Sequence, residues 1–275
     1  MNDDKRFSID LNYNLIQSIR LIHSIFEVNN NLTIDRVHKK KFKLIKKNFN
    51  INLKYNDNSE YDISPYVEYS HKIPYIKIGN IKRTLIFPHG IVDNLKKRWL
   101  EKKYYDYSFI GIVNSSRKEI INKWLEEKFK ITNVKKYHID NLKSKWINNL
   151  FTKKESQSFS EILILSSKRG RRFPKKSWDN NYYNVLLKSK FVLCPSGDFN
   201  WSYRFFESIL CGAIPIVEKD CNAYDGFKFY FFKNKLDELI YDQEIINHNF
   251  NLCLKKITIP NEILEKEIKE ILNEK

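Results

Sequence analysis

The sequence predicts an α/β protein built on a parallel sheet, and three observations carry that expectation. Short apolar runs such as Tyr107–Val113, Glu161–Leu165, Phe191–Cys194 and Ile214–Val217 alternate with stretches of helical periodicity. Strands separated by helices of about 10–12 residues indicate right-handed crossover units. The regular alternation begins near residue 104, after a charged stretch from Asp93 to Lys103. That join divides the chain into a smaller, less regular lobe over residues 1–100 and an α/β lobe over 104–255. A chain of 275 residues has room for both, at roughly 150 residues per domain.

In the first lobe Leu15, Ile19, Ile22 and Phe26 form a helical stripe, and Phe42, Ile45 and Phe49 repeat it in a basic stretch. Tyr75–Ile78 and Thr84–Phe87 read as short strands, the second stopped by Pro88-His89-Gly90. In the second lobe the strand Tyr107–Val113 leads to a helix capped by Ser115 or Ser116 and running to about Lys128. Ile120, Trp124 and Leu125 form the apolar face of that helix. A strand over Val134–His138, a helix over 141–150, the buried strand Glu161–Leu165 and a helix over Trp178–Lys188 follow. The strand Phe191–Cys194, the helix Trp201–Cys211 and the strand Ile214–Val217 come next. Phe227–Phe232 reads as a strand or edge segment and Leu236–Ile246 as a helix. A charged amphipathic helix over about 261–273 closes the chain, and the segment 256–275 is a candidate to cross back to the first lobe.

Composition narrows the function classes. Lys and Arg number 49 against 33 Asp and Glu, a net charge of +16, which favours anionic ligands or polyanions without choosing between them. No apolar run approaches the ~18–20 residues needed to span a bilayer. The polar start, Met1 to Asp10, has no secretory or transit character, so a cytoplasmic protein without an integral membrane segment is expected. The cysteines at 194, 211, 221 and 253 contain no Cys-x-x-Cys pair, which argues against a zinc site or redox pair and for free thiols in a reducing compartment. Only 7 glycines occur, with neither a G-x-G-x-x-G nor a Walker A pattern. Dehydrogenase, kinase and P-loop readings lose support accordingly.

The segment from Ser189 to Glu218, SKFVLCPSGDFNWSYRFFESILCGAIPIVE, is where chemistry concentrates. A buried strand runs into Pro195-Ser196-Gly197, and a helix opens near Ser202. Ligands of open parallel sheets bind at the carboxyl ends of strands, and a helix N-terminus there suits a phosphate. Arg204 lies in the first turn and can bind a diphosphate. Glu207, three residues on, shares its face and can accept hydrogen bonds from two sugar hydroxyls. Spacing alone equally allows an ordinary surface ion pair.

This segment resembles the signature of exostosin-like glycosyltransferases, carbohydrate family 47. The pattern S-K-F-C-L-x-P-x-G followed by S-x-R-x-x-E-A-I-x-x-G-C-I-P-V-I is matched at Ser189, Lys190, Phe191, Leu193, Pro195, Gly197, Ser202, Arg204, Glu207, Ile209, Gly212, Ile214 and Pro215. The resemblance implies a GT-B-like architecture, two Rossmann-like lobes with a cleft between them, the first lobe here small. It implies an enzyme, an inverting transferase that moves a hexosyl or pentosyl group from a nucleotide-sugar, usually a UDP-sugar, to a carbohydrate acceptor. Pro195, Ser196, Gly197, Ser202, Arg204 and Glu207 would bind the donor. Phe109, Gly111 and Arg117 fit the F-x-G and following Arg that often open the donor lobe, although Arg117 can also be read as a solvated helix start.

The loop Lys168–Lys176 carries Arg169, Arg171 and Arg172 just beyond a strand end. It reads as phosphate capture, as a solvated charge run or as a polyanion patch. The chain lacks a D-x-D motif, so no metal and no cofactor besides the donor co-substrate are expected, positive side chains taking the metal's place. A general base is required of an inverting enzyme. Asp62 and Glu68, flanking Pro65, and His89 are the candidates, with His89 equally readable as a phosphate donor or a structural histidine. Trp201, Tyr203 and Phe173 can stack on a base or sugar. The rival readings are a polyanion- or nucleic-acid-binding protein, which the absence of any known nucleic-acid motif disfavours, and an inactive exostosin-like glycan binder.

Overall fold

The computed structural model describes residues 7–9, 16–28, 32–35, 43, 46, 47, 49, 54–56, 67–70, 72–128, 134–138, 162–167 and 180–273. They fall into two compact units, one made by the described residues of Met1–Asn94 and Leu254–Lys275, the other by those of Leu95–Arg171 and Asp179–Cys253.

The first unit contains strands β1 (Phe7–Ile9), β2 (Leu32–Asp35) and β3 (Lys54–Asn56), paired in parallel in that order. Helix α1 (Ile16–Val28) lies between the first two in sequence. Strands β4 (Val67–Ser70), β5 (Tyr75–Ile78) and β6 (Ile81–Arg83) form an antiparallel meander. Ile19, Ile22, Ile25 and Phe26 of α1 bury against Ile76, Ile78, Ile86 and Ile268. Ile19, Ile22 and Phe26 of the periodic stripe thus lie on the core face, and Leu15 lies outside the described residues. The described residues of the basic stretch around Phe49 are helical.

Two expectations for this unit change. Thr84–Phe87 is not a sheet strand: β6 ends at Arg83, and Leu85, Ile86 and Phe87 are a buried connection. Its backbone is satisfied elsewhere, Thr84 N donating to the Lys256 carbonyl at 3.0 Å and Phe87 N to the Ile257 carbonyl at 2.7 Å. Pro88-His89-Gly90 starts a helix, α2 (His89–Lys97), in addition to ending the apolar run. The Glu27 carboxylate accepts from His89 N and Gly90 N, both at 2.8 Å, so a residue remote in sequence caps this helix.

The second unit holds β7 (Tyr105–Ile112), α3 (Ser115–Lys128), β8 (Val134–His138), β9 (Ile162–Ser167), α4 (Asn180–Leu187), β10 (Ser189–Leu193), α5 (Tyr203–Leu210), β11 (Ile214–Val217), β12 (Tyr230–Phe231) and α6 (Gln243–Ile257), whose last turn belongs to the first unit. Helix α7 (Asn261–Asn273) closes the chain within the first unit, against α1. The six strands of the second unit form one parallel sheet in the order β12-β11-β10-β7-β9-β8. This is the α/β class the alternation predicted. Phe109, Leu193, Ile214 and Ile216 lie in its core, completely buried. β10 lies beside β7, on the side away from β8 and β9, so the order reverses between β7 and β10. Such a switch point is where an open α/β sheet binds its ligand.

Three further differences concern this unit. Residues 227–232 form only the two-residue strand β12. Residues 236–238 form a single 3-10 turn, and the α-helix begins at Gln243 rather than spanning 236–246. Asn114, not Ser115 or Ser116, caps α3: its Oδ1 accepts from Arg117 N at 2.9 Å. The expected helix over 141–150 lies outside the described residues.

Candidate functional site

At the switch point, two arginines converge on the carboxyl ends of β7 and β10. Arg204 enters from the first turn of α5, whose N-cap Ser202 accepts from Phe205 N at 3.3 Å. Arg204 is 8% exposed. Nε donates to the Ile110 carbonyl at 2.9 Å, and the group lies 4.3 Å from the centre of the Phe109 ring. Nη1 is buried, and among the described residues it has no hydrogen-bond partner. A buried cationic donor without an acceptor costs free energy until an anion arrives.

Arg117 comes from the first turn of α3. Its Nε donates to the Ser196 carbonyl at 3.0 Å and its Nη1 to the Ile112 carbonyl at 3.2 Å. It therefore ties the end of β7 to the turn after β10. Burial pulls its pKa down, the positive charge of Arg204 adds to that, and Asp198 and Glu218 oppose it. The two cations are thus close enough to repel.

Two glycines make room for these arms. At Gly111, φ is +154°, and a Cβ would lie 2.2 Å from Arg204 Nη2. At Gly197 a Cβ would lie 1.7 Å from Arg117 Nη2. The F-x-G and P-x-G glycines of the sequence therefore serve close approach of a guanidinium to backbone.

Pro195 is buried where β10 ends, and Ser196 is held by both its N–H, at 2.7 Å, and its hydroxyl to the Glu218 carboxylate at the end of β11. Ser202 N donates to the Tyr224 hydroxyl at 2.9 Å. Tyr224 in turn stacks on Phe205 with ring centres 3.7 Å apart. The sequence reading missed Glu218 and Tyr224. Glu218 closes the I-P-I-V-E run and had a legible position at a strand's carboxyl end.

Several sequence expectations are corrected. Glu207 is completely buried, and its carboxylate accepts from the hydroxyls of Tyr182 at 2.6 Å and Tyr183 at 3.3 Å. It is not a surface ion pair with Arg204. Residues 204–210 of α5 are all buried, so one turn along the axis, about 5 Å, carries Glu207 from the site into the core. His89 is a structural histidine: its ring Nε2 is 2.6 Å from the Ile259 carbonyl and its backbone N–H is held by Glu27. Glu68 is exposed on β4 and accepts from the Tyr75 hydroxyl at 2.8 Å. Trp201 is buried against Tyr203, ring centres 4.9 Å apart, leaving the half-buried Tyr203 the more accessible of the two. Asp62, Arg169, Arg171, Arg172 and Phe173 lie outside the described residues. Among the described residues no group of three or more His, Cys, Asp and Glu side chains gathers as a metal-ligand set, and no helix is long and apolar enough to cross a membrane.

The model of the Exostosin GT47 domain matches residues 19–223, which takes in the arginines, both glycines and Glu218. The chain belongs to the exostosin GT47 glycosyltransferase family. One curated relative of this GT47 chain, a probable glucuronosyltransferase of Oryza sativa subsp. japonica, is 34% identical over 61 residues. That match covers 22% of this chain and 14% of the relative's length. Among solved structures, the crystal structure of the GtfA/B complex aligns with 94% of this chain and 60% of its own, at 11% identity and a TM-score of 0.27.

Proposed function

We propose that the protein is a glycosyltransferase whose second unit holds the diphosphate of a nucleotide-sugar between Arg117 and Arg204. The observation that carries the reading is the pair itself: a buried and a half-buried guanidinium at the carboxyl ends of neighbouring strands, the buried one with a nitrogen that has no hydrogen-bond partner among the described residues. A diphosphate offers oxyanions on two adjacent phosphoryl groups, which suits two planar donor forks. As the sugar leaves, negative charge grows on the terminal phosphate oxygen, and preorganised cations stabilise it most in the transition state.

A UDP-sugar is the donor we favour, on the strength of the family signature, and the rice relative's name makes a glucuronosyl group a first choice to test. In the inverting reaction proposed here, an acceptor sugar oxygen forms the new bond to the anomeric carbon as the bond to the diphosphate breaks on the opposite face. The acceptor proton passes to a base, for which Asp62 and Glu68 remain candidates and His89 does not. The two guanidiniums perform the charge neutralisation that a divalent metal supplies in other transferases. A cytoplasmic site of action and a carbohydrate acceptor complete the proposal.

Titration calorimetry with UDP, in the presence of EDTA, tests the donor assignment. Saturable binding that Arg204→Ala weakens supports it. Binding of UDP that is equal in the parent and Arg204→Ala proteins refutes it.

A further inference from the structure

A second cationic site lies in the first unit. A cavity of about 600 Å³ opens between the β5–β6 hairpin and the last turn of α6. Lys82, Arg83, Lys255 and Lys256 line it, together with Tyr75 and Ile73. Among the described residues lining it there is no carboxylate. Four cations around one concavity raise the local concentration of anions, and their mutual repulsion falls when one binds.

The cavity is built rather than a chance gathering of mobile lysines. Arg83 donates from Nε to the Thr258 carbonyl at 2.9 Å and from Nη1 to the Lys82 carbonyl at 2.8 Å. Its fork is therefore fixed, and Nη2 makes no hydrogen bond among the described residues. Thr84 N bonds the Lys256 carbonyl at 3.0 Å, fastening the hairpin end to the helix end. Lys82 Nζ sits 4.8 Å from the centre of the Tyr75 ring, whose hydroxyl is committed to Glu68. Ile73 is 74% exposed at the rim. The volume is that of a small-molecule site, far more than a lone inorganic anion fills, and its walls mix cations with apolar surface. A sugar bearing an oxyanion presents the same two characters, apolar ring faces and a localised negative charge.

We propose that this cavity binds an acidic saccharide, through a carboxylate or phosphate group seated among Lys82, Arg83 and Lys255. The saccharide half of this statement rests on the glycosyltransferase reading; the anion half rests on the cavity alone. The ligand is accordingly an acidic acceptor or an acidic segment of one.

The test uses the full chain and four probes: tetragalacturonate, maltotetraose phosphate, neutral maltotetraose and a single-stranded oligonucleotide. Titration calorimetry is expected to show one site for an acidic saccharide, weakening as salt rises, with no binding of neutral maltotetraose. Which acidic probe binds identifies the oxyanion. The exposed pair Lys82→Gln and Lys255→Gln should lower that affinity by about tenfold or more while leaving UDP binding at the parental level. Arg204→Ala should do the reverse, so failure of the donor site and failure of this site are read separately. Equal binding of the neutral saccharide, an unchanged affinity in the double variant, or tighter binding of the oligonucleotide than of either acidic saccharide overturns the proposal.

Discussion

Arg204 and Glu207 sit three residues apart on one helix, yet the structure gives them opposite surroundings. Arg204 keeps a donor without a partner among the described residues, while Glu207 is satisfied by two tyrosines. The sequence showed the shared face; it could not show that the face runs inward. Arg204→Ala should therefore cut turnover by ~10²–10³, about 3–4 kcal/mol, the loss of one preorganised donor. Arg204→Lys should recover little of it, because a point charge cannot replace the fork. Steady-state kinetics on both variants, with a melt to check folding, measures this. Glu207→Leu should instead destabilise the fold by about 1–3 kcal/mol, the cost of removing a buried hydrogen-bond acceptor, with Glu207→Gln milder, in urea unfolding. Gly197→Ala separates site from fold: the clash is with the end of the Arg117 side chain, which can swing away. UDP affinity should fall while the melting midpoint stays close to the parental value.

At the scale of elements, the four central strands were legible because strands buried on both faces are short continuous apolar runs. The region 227–246 was less legible because side chains decide its turns. Asn234 Oδ1 accepts from Phe231 N at 2.8 Å, the Glu238 carboxylate accepts from Lys235 N at 3.2 Å, and Asp242 Oδ1 accepts from Glu244 N at 2.9 Å. Such local bonds compete with helix and move its start. Long-range caps are equally hidden. Lys103 Nζ donates to the Leu187 carbonyl at 2.8 Å and the Cys211 carbonyl at 3.0 Å, one cation closing the ends of both α4 and α5. Burial lowers its pKa to about 8, below the ~10.4 of an unfolded lysine. Between those values the unfolded chain holds more protons, so this group makes stability rise with pH from about 8 to 10.4. Melts of the parent and Lys103→Met proteins across that range should differ in slope, the rise being smaller in the variant.

For the whole molecule, part of the excess of positive charge behind the net +16 is gathered in two clusters. One pair of guanidiniums lies at the sheet's switch point, and four cations line the cavity of the first unit. The composition favours anionic partners without choosing among them, and the 30-residue signature announced the family. Neither could separate the two clusters, since Lys82, Arg83, Lys255 and Lys256 come together only when the β5–β6 hairpin meets the end of α6. Donor binding should be unaltered by EDTA, whereas an absolute requirement for Mn²⁺ or Mg²⁺ would assign the charge neutralisation to a metal. Titrating UDP and uridine into the parent, Arg117→Ala and Arg204→Ala proteins tests most directly whether Arg117 and Arg204 together form the diphosphate site. UDP should bind the parent far more tightly than uridine does, and each substitution should remove most of that difference. A preference for UDP over uridine that survives both substitutions would contradict that assignment.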